Sequence, residues 1–119
     1  MMEVEIDMSL IQLQNEQDWN LVKEQRNRII LMKNSTTCPV SHEAFKEFQK
    51  FAADNENETL YYLNVQDARS LSNAIAEQTG VKHESPQVLI FDGDNVVWHD
   101  SHWNITNKKL AQANEKTKA

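Results

Sequence analysis

The sequence predicts an α/β domain in which a mixed β-sheet carries helices on both faces. Three observations lead there. Short apolar runs alternate with amphipathic helical patterns through the first eighty residues, which calls for parallel strands joined by helical crossovers. Two further apolar runs near the C-terminus are joined by Asp92-Gly93, the signature of an antiparallel hairpin. A lone cysteine, Cys38, marks the junction between one apolar run and the strongest amphipathic helix. With 119 residues the chain can bury one real core, so residues 1–119 are expected to form one domain with loosely ordered ends at about 1–8 and 115–119.

Leu10-Ile11-Gln12-Leu13 is long enough for a short first strand. Asn15 or Asp18 then caps a helix in which Trp19, Val22 and Arg26 share a side, with Leu21 beside them. The run Ile29-Ile30-Leu31-Met32 within residues 28–33 is unbroken, as in a strand covered on both faces. From Pro39 to about Ala53 the period changes. Val40, Ala44, Phe48 and Ala52 recur every four residues, and Glu43, Lys46, Glu47 and Lys50 fall opposite them.

After the polar turn at 54–58, Thr59-Leu60-Tyr61-Tyr62-Leu63-Asn64-Val65 is rich in the aromatic and β-branched residues that favour strands. Gln66 or Asp67 opens another helix, with Ala68, Leu71, Ala74, Ile75 and Gln78 inward, and Gly80 ends it. The hairpin follows, from Gln87 to Phe91 and from Val96 to His99. The last helix opens at Thr106, with Ile105 and Leu110 at the spacing of a hydrophobic staple, and is expected to fray from Asn114. The order β-α-β-α-β-α-β-β-α is that of a thioredoxin-like fold.

Proline favours the first helical position, where its missing N–H costs nothing, so Pro39 makes Cys38 the N-cap. A thiol there meets the free N–H groups of the first turn and the positive end of the helix dipole, both of which favour thiolate. Such cysteines titrate at roughly 3.5 to 7.5, against about 8.5 for a free thiol. A lone cysteine can also be a buried small hydrophobe. The polar flank Ser35, Thr36, Thr37 and Ser41 argues for an accessible loop instead.

Composition narrows the function classes. A net charge of −6 speaks against nucleic-acid or anionic-membrane partners, which need concentrated Lys and Arg. No run is long enough to span a bilayer, and the acidic start Met1-Met2-Glu3-Val4-Glu5 lacks the pattern of a signal peptide, so a cytoplasmic location is expected. One unpaired cysteine agrees with a reducing compartment. One cysteine and scattered histidines offer no zinc ligand set, and no metal is expected.

Thr37-Cys38-Pro39-Val40-Ser41 resembles the Cys-x-x-Ser form of the thioredoxin and glutaredoxin active site, and is similar to the motif of the YtxJ-type monothiol bacilliredoxins. Residues 80–87, Gly-Val-Lys-His-Glu-Ser-Pro-Gln, resemble that family's loop around a cis-proline. Residues 99–106 resemble its lead into the last helix, and the likeness spans roughly residues 10–112.

The resemblance implies a monothiol oxidoreductase acting on mixed disulfides between proteins and bacillithiol, through a Cys38-S-bacillithiol intermediate. Bacillithiol would be the co-substrate, with no tightly bound cofactor. A second bacillithiol would clear the adduct, and a separate bacillithiol disulfide reductase would close the cycle. Ser41 stands where a dithiol site has its second cysteine, so the resolving thiol must come from outside. Pro86 would be cis and lie against Cys38, exposing the backbone of Ser85 to the ligand; a plain strand-start proline is the alternative.

Asp100, Ser101 and His102 are candidate peripheral contacts, with His102 a donor for the carboxylates of bacillithiol. His42, His83, His99 and His102 could share that face or be separate surface residues. Trp98 and Trp103 are assigned to packing. A monomer is the expectation for this fold and size. The alternative function is a thioredoxin-fold binding module or iron–sulfur carrier with Cys38 as ligand, or a stress protein whose Cys38 is merely protected by modification.

Overall fold

The computed structural model of the chain describes residues 10–118. The elements are β1 (Leu10–Gln12), α1 (Glu16–Gln25), β2 (Arg28–Asn34), α2 (Pro39–Asp54), β3 (Leu60–Asn64), α3 (Arg69–Thr79), β4 (Gln87–Asp92), β5 (Asn95–Ser101) and α4 (Asn107–Thr117). A 3-10 turn, His102–Asn104, links β5 to α4. The sheet order is β1-β3-β2-β4-β5. β3 runs parallel to both β1 and β2, while β4 is antiparallel to β2 and to β5. This is the predicted mixed sheet, in the predicted element order. The looseness expected at residues 1–8 lies outside the described residues.

β2 is unbroken in its apolar character because it is central and covered twice. Successive side chains alternate faces. Ile29 and Leu31 pack with Trp19, Val22, Leu71 and Ile75 under α1 and α3. Ile30 and Met32 pack with Ala44, Phe48, Phe51, Leu110 and Ala113 under α2 and α4.

Local chemistry sets the ends of these elements. Asn15 Oδ1 accepts from the Asp18 N–H at 2.8 Å while Asp18 Oδ2 accepts from the Gln14 N–H at 2.9 Å, a reciprocal cap on α1. Gly93 takes φ +63° in the two-residue hairpin turn, a backbone region that glycine enters freely. Ile105 and Leu110 flank the Thr106 cap of α4 and are both buried in the α2/α4 core.

Three expectations are corrected. α3 begins at Arg69 rather than at Gln66 or Asp67, because Gln66 is engaged elsewhere. Leu21 is exposed on the outer side of α1. α4 does not fray from Asn114, nor from residue 115, but continues helically through Thr117. Asn114 is buried, and the Arg28 guanidinium donates to Asn114 O, Asn114 Oδ1, Thr117 O and Thr117 Oγ1 at 2.6–3.1 Å. A cation at the carbonyl end of a helix holds its last turn.

The register gathers one end of the sheet. Asn34 pairs with Asn64, and Lys33 pairs with Gln87, which pairs in turn with Ser101. The loop after β2, the turn after β3, the loop before β4 and the exit of β5 therefore meet along one edge. Cys38, Gln66, Pro86 and His102 all lie in these segments. Ligand sites of open α/β sheets form at such strand ends.

Candidate active site

Cys38 is the N-cap of α2, extended at φ −98° and ψ 123°, with Pro39 beginning the helix. The thiol is half-buried and is not in a disulfide. It makes no capping hydrogen bond of regular geometry. Nonetheless the backbone N–H of Ser41, then that of Val40, face the sulfur and draw its pKa below the ordinary 9.0, outweighing the opposing effect of partial burial. The Ser41 hydroxyl contributes in the same direction. Ser41 is fully buried, and its Oγ has no other hydrogen-bond partner, so it is free to turn toward a thiolate. Thr37 and Pro39 are exposed beside the sulfur in sequence, and Val40 is half-buried.

The loop leading to Cys38 is held from β3's side by Gln66. Its Nε2 donates to Ser35 Oγ at 2.8 Å and to Thr37 Oγ1 at 3.1 Å, and its Oε1 accepts from the Thr36 N–H at 3.1 Å. Below it, Asn34 Nδ2 donates to Asn64 Oδ1 at 2.9 Å, and the Val65 N–H donates to Asn34 O at 2.8 Å. One amide side chain thus fixes three consecutive loop residues. Sequence reasoning gave Gln66 no such role, since nothing in its own neighbourhood reveals partners thirty positions away.

The Ser85–Pro86 peptide bond is cis. Pro86 is buried and Ser85 half-buried. The His102 N–H donates to Pro86 O at 3.0 Å, and His102 has φ +58°. The 3-10 turn that follows packs against α2, the helix Cys38 caps. The Ser101 side chain, in first place, holds the Glu84 carboxyl below its usual range, and His102, Lys82 and His99 add to the effect. Glu84 was not among the sequence candidates. Asp100 is engaged locally: its Oδ1 accepts from the Ser101 N–H at 2.8 Å and from Asn104 Nδ2 at 3.0 Å, shaping the turn.

His42, His99 and His102 are exposed, whereas His83 is half-buried. Trp98 packs against the α2/α4 core as expected. Trp103 does not: it is 69 % exposed on the 3-10 turn, because the residue before it has turned into the left-handed region and α4 has not yet begun. Among the described residues, no group of three or more His, Cys, Asp or Glu side chains is placed to hold a metal ion. No helix among them is long and apolar enough to cross a membrane.

A helix-capping cysteine with a depressed pKa, set at the strand ends of this sheet beside a cis-proline loop, defines a thioredoxin-fold thiol–disulfide oxidoreductase with a single redox sulfur. The family model for monothiol bacilliredoxin BrxC matches residues 11–110, and the chain belongs to that family. Among solved structures, one titled "A putative oxidoreductase with a thioredoxin fold" superposes with a TM-score of 0.82 at 39 % identity, over 89 % of this chain and 94 % of that one. Thioredoxin from Schistosoma mansoni superposes with a TM-score of 0.73 at 13 % identity, over 91 % of this chain and 97 % of that one. Thioredoxin from Fasciola hepatica gives 0.71 at 13 % identity, over 90 % and 98 %. These two relatives share the fold.

Proposed function

We propose that the protein reduces mixed disulfides between protein cysteines and bacillithiol. The Cys38 thiolate attacks the bacillithiol sulfur of the mixed disulfide. A new S–S bond forms between Cys38 and bacillithiol, and the target protein's sulfur leaves as thiolate and takes a proton from solvent. A second bacillithiol thiolate then attacks the bacillithiol sulfur of the adduct, releasing bacillithiol disulfide and the Cys38 thiolate. A separate reductase returns that disulfide to two thiols.

The observation that carries this reading is the placement of Cys38: an accessible sulfur whose thiolate is favoured by the Ser41 and Val40 N–H groups, with a serine hydroxyl where a second sulfur would stand. A single sulfur supports exchange with outside thiols. Ser85, Pro86 and His102 share its sheet edge and are the proposed contacts for the incoming disulfide, with Ser101 positioning Glu84 beside them. The reaction requires no tightly bound cofactor, and we place it in the cytoplasm, in a monomer.

Mass spectrometry of the reduced protein incubated with a bacillithiolated substrate tests the cycle. The expected result is transfer of bacillithiol to Cys38, a restored substrate thiol, and loss of the adduct when bacillithiol is added. A substrate that stays modified while Cys38 stays free would overturn the reading and favour a carrier or adaptor role.

A further inference from the structure

Five residues before Cys38, the chain buries a lysine. Lys33 is 0 % exposed at the end of β2, on the face shared with Ile29 and Leu31. A buried ammonium is ordinarily paired with a carboxylate, since leaving it unpaired costs desolvation energy. Lys33 has hydrogen-bond partners of another kind. Its Nζ donates to Ser72 O of α3 at 3.0 Å and lies 3.3 Å from His83 Nδ1. Ser72 Oγ is 3.2 Å from the same imidazole nitrogen. An ammonium can only donate, so Nδ1 accepts and the ring proton sits on Nε2.

These contacts join three segments of the site. Lys33 leads into the Cys38 loop, Ser72 lies on α3, and His83 is in the loop carrying Ser85–Pro86. That loop, residues 80–86, has no strand ladder of its own. Its fastenings include the Val81 N–H to Thr79 Oγ1, Gln87 Nε2 to Lys82 O, the His102 N–H to Pro86 O, and the Lys33–His83 contact, which is the one that ties the loop to β2. We propose that Lys33 is a positioning residue for thiol exchange: through His83 it holds the Ser85–Pro86 segment in register with the Cys38 loop, and protonation of His83 releases that hold.

A second proton on the imidazole would turn Nδ1 into a donor and set two cations 3.3 Å apart, so the contact exists only while His83 is neutral. The groups facing His83 agree with a neutral ring. Burial lowers its pKa below 6.5, as do Lys33 from β2 and Arg69 from α3, opposed by Glu84 of its own loop. Burial pushes Lys33 itself down to about 8. No charge on Cys38 is needed for the hold to open or close, so its effect on rate is separable from that of the thiolate.

The experiment compares the wild type with Lys33→Met and His83→Gln from about pH 4 to 8, extended to the acid side of the ordinary histidine range because His83 is held below it. Exchange is followed with a bacillithiolated protein, and thiolate content by ultraviolet absorbance in the same samples. Amide NMR shifts of Glu84 and Ser85 are recorded alongside. In the wild type, exchange should fall in acid more steeply than the thiolate fraction does, and the two amides should titrate with His83. His83→Gln should make the rate follow the thiolate fraction and leave the amides flat. Lys33→Met should lose on the order of ten-fold in exchange near neutrality, with the Cys38 titration unmoved, as expected when reacting groups are misplaced.

A folded Lys33→Met protein with wild-type rate and unmoved amides overturns the inference. So does a His83→Gln profile superimposable on the wild type, which decides the matter if Lys33→Met does not fold. The exchange readout rests on the function proposed above, whereas the amide readout does not. Wild-type protein that fails to act on the bacillithiolated substrate yet shows titrating amides, flat in His83→Gln and displaced from their wild-type positions at neutral pH in Lys33→Met, refutes that function and supports the hold.

Discussion

The His102 N–H donates to the carbonyl oxygen of Pro86 at 3.0 Å, and to make that bond His102 adopts φ +58°. A left-handed conformation costs a residue with a Cβ about 1–2 kcal/mol, and glycine escapes most of it. His102→Gly is therefore expected to stabilise the fold by about 0.5–1 kcal/mol in denaturant titrations, after its larger unfolded-state entropy is counted. His102→Ala keeps the strain and should give no gain. If the imidazole contacts the incoming disulfide, both variants should weaken substrate use equally.

Ser41 should act on the chemistry more than on the fold. Removing its hydroxyl in Ser41→Ala is expected to raise the Cys38 pKa, read from the thiolate absorbance, because one of the groups that lower it is lost. Stability should hold or rise by up to about 1 kcal/mol, since the buried Oγ has no other partner to leave behind. Because the folded thiol ionises below the ordinary 9.0 of the unfolded chain, its stabilising effect is fully present above that value and is lost as pH falls through the folded pKa. Cys38→Ser should abolish this pH dependence together with turnover.

Gln66→Ala removes three hydrogen bonds from the loop before Cys38. They lie near the surface, so the stability loss should be about 1 kcal/mol or less. Exchange should slow several-fold, roughly as for a small misplacement of reacting atoms. A wild-type rate in this variant would show that the loop holds its shape without the amide.

Lys33→Met should stabilise the protein while impairing it. Replacing a buried charge by an apolar side chain of similar size is expected to add about 1–3 kcal/mol at neutral pH. The sign with pH follows from the lowered pKa. Below about 8 both folded and unfolded lysine are charged and the desolvation penalty is full; above it the folded amine is neutral and the penalty shrinks toward the ordinary 10.5. The advantage of the variant over wild type should therefore fade between those two values in thermal melts.

Arg28 sits at the opposite end of β2 from the cysteine loop and ties α4 to the sheet. Arg28→Ala is expected to cost about 2–3 kcal/mol, since charge-assisted bonds to two residues of α4 are lost together. The Cys38 titration should not change.

Much of the fold was legible because its signals are local. The unbroken run at 29–32, the Asp92-Gly93 turn, the helix start at Asn15 or Asp18, which the structure resolves to Asn15, and the Ile105–Leu110 staple each act within a few residues of themselves. Cys38 was legible for the same reason, with Pro39 beside it setting the helix start. Gln66, Lys33 and Glu84 were not, because each acquires its role from partners brought close only by strand pairing. Lys33 in particular reads as the polar flank of an apolar run, and only the cover of α3 makes it a core residue. Trp103 misled in the other direction: an aromatic ring reads as a packing residue, yet this one sits between the polar His102 and Asn104 on a 3-10 turn outside the core.

With Ser41 in place of a second sulfur, oxidation of Cys38 by a small disulfide consumes one disulfide molecule and liberates one thiol. At equilibrium the loaded fraction then follows the simple quotient of disulfide to thiol, each to the first power. Diluting the whole pool leaves it unchanged. A two-sulfur centre that closes on itself expels two thiols and follows the square of their concentration, so it feels dilution as oxidation. The serine makes this centre a gauge of proportion, blind to abundance.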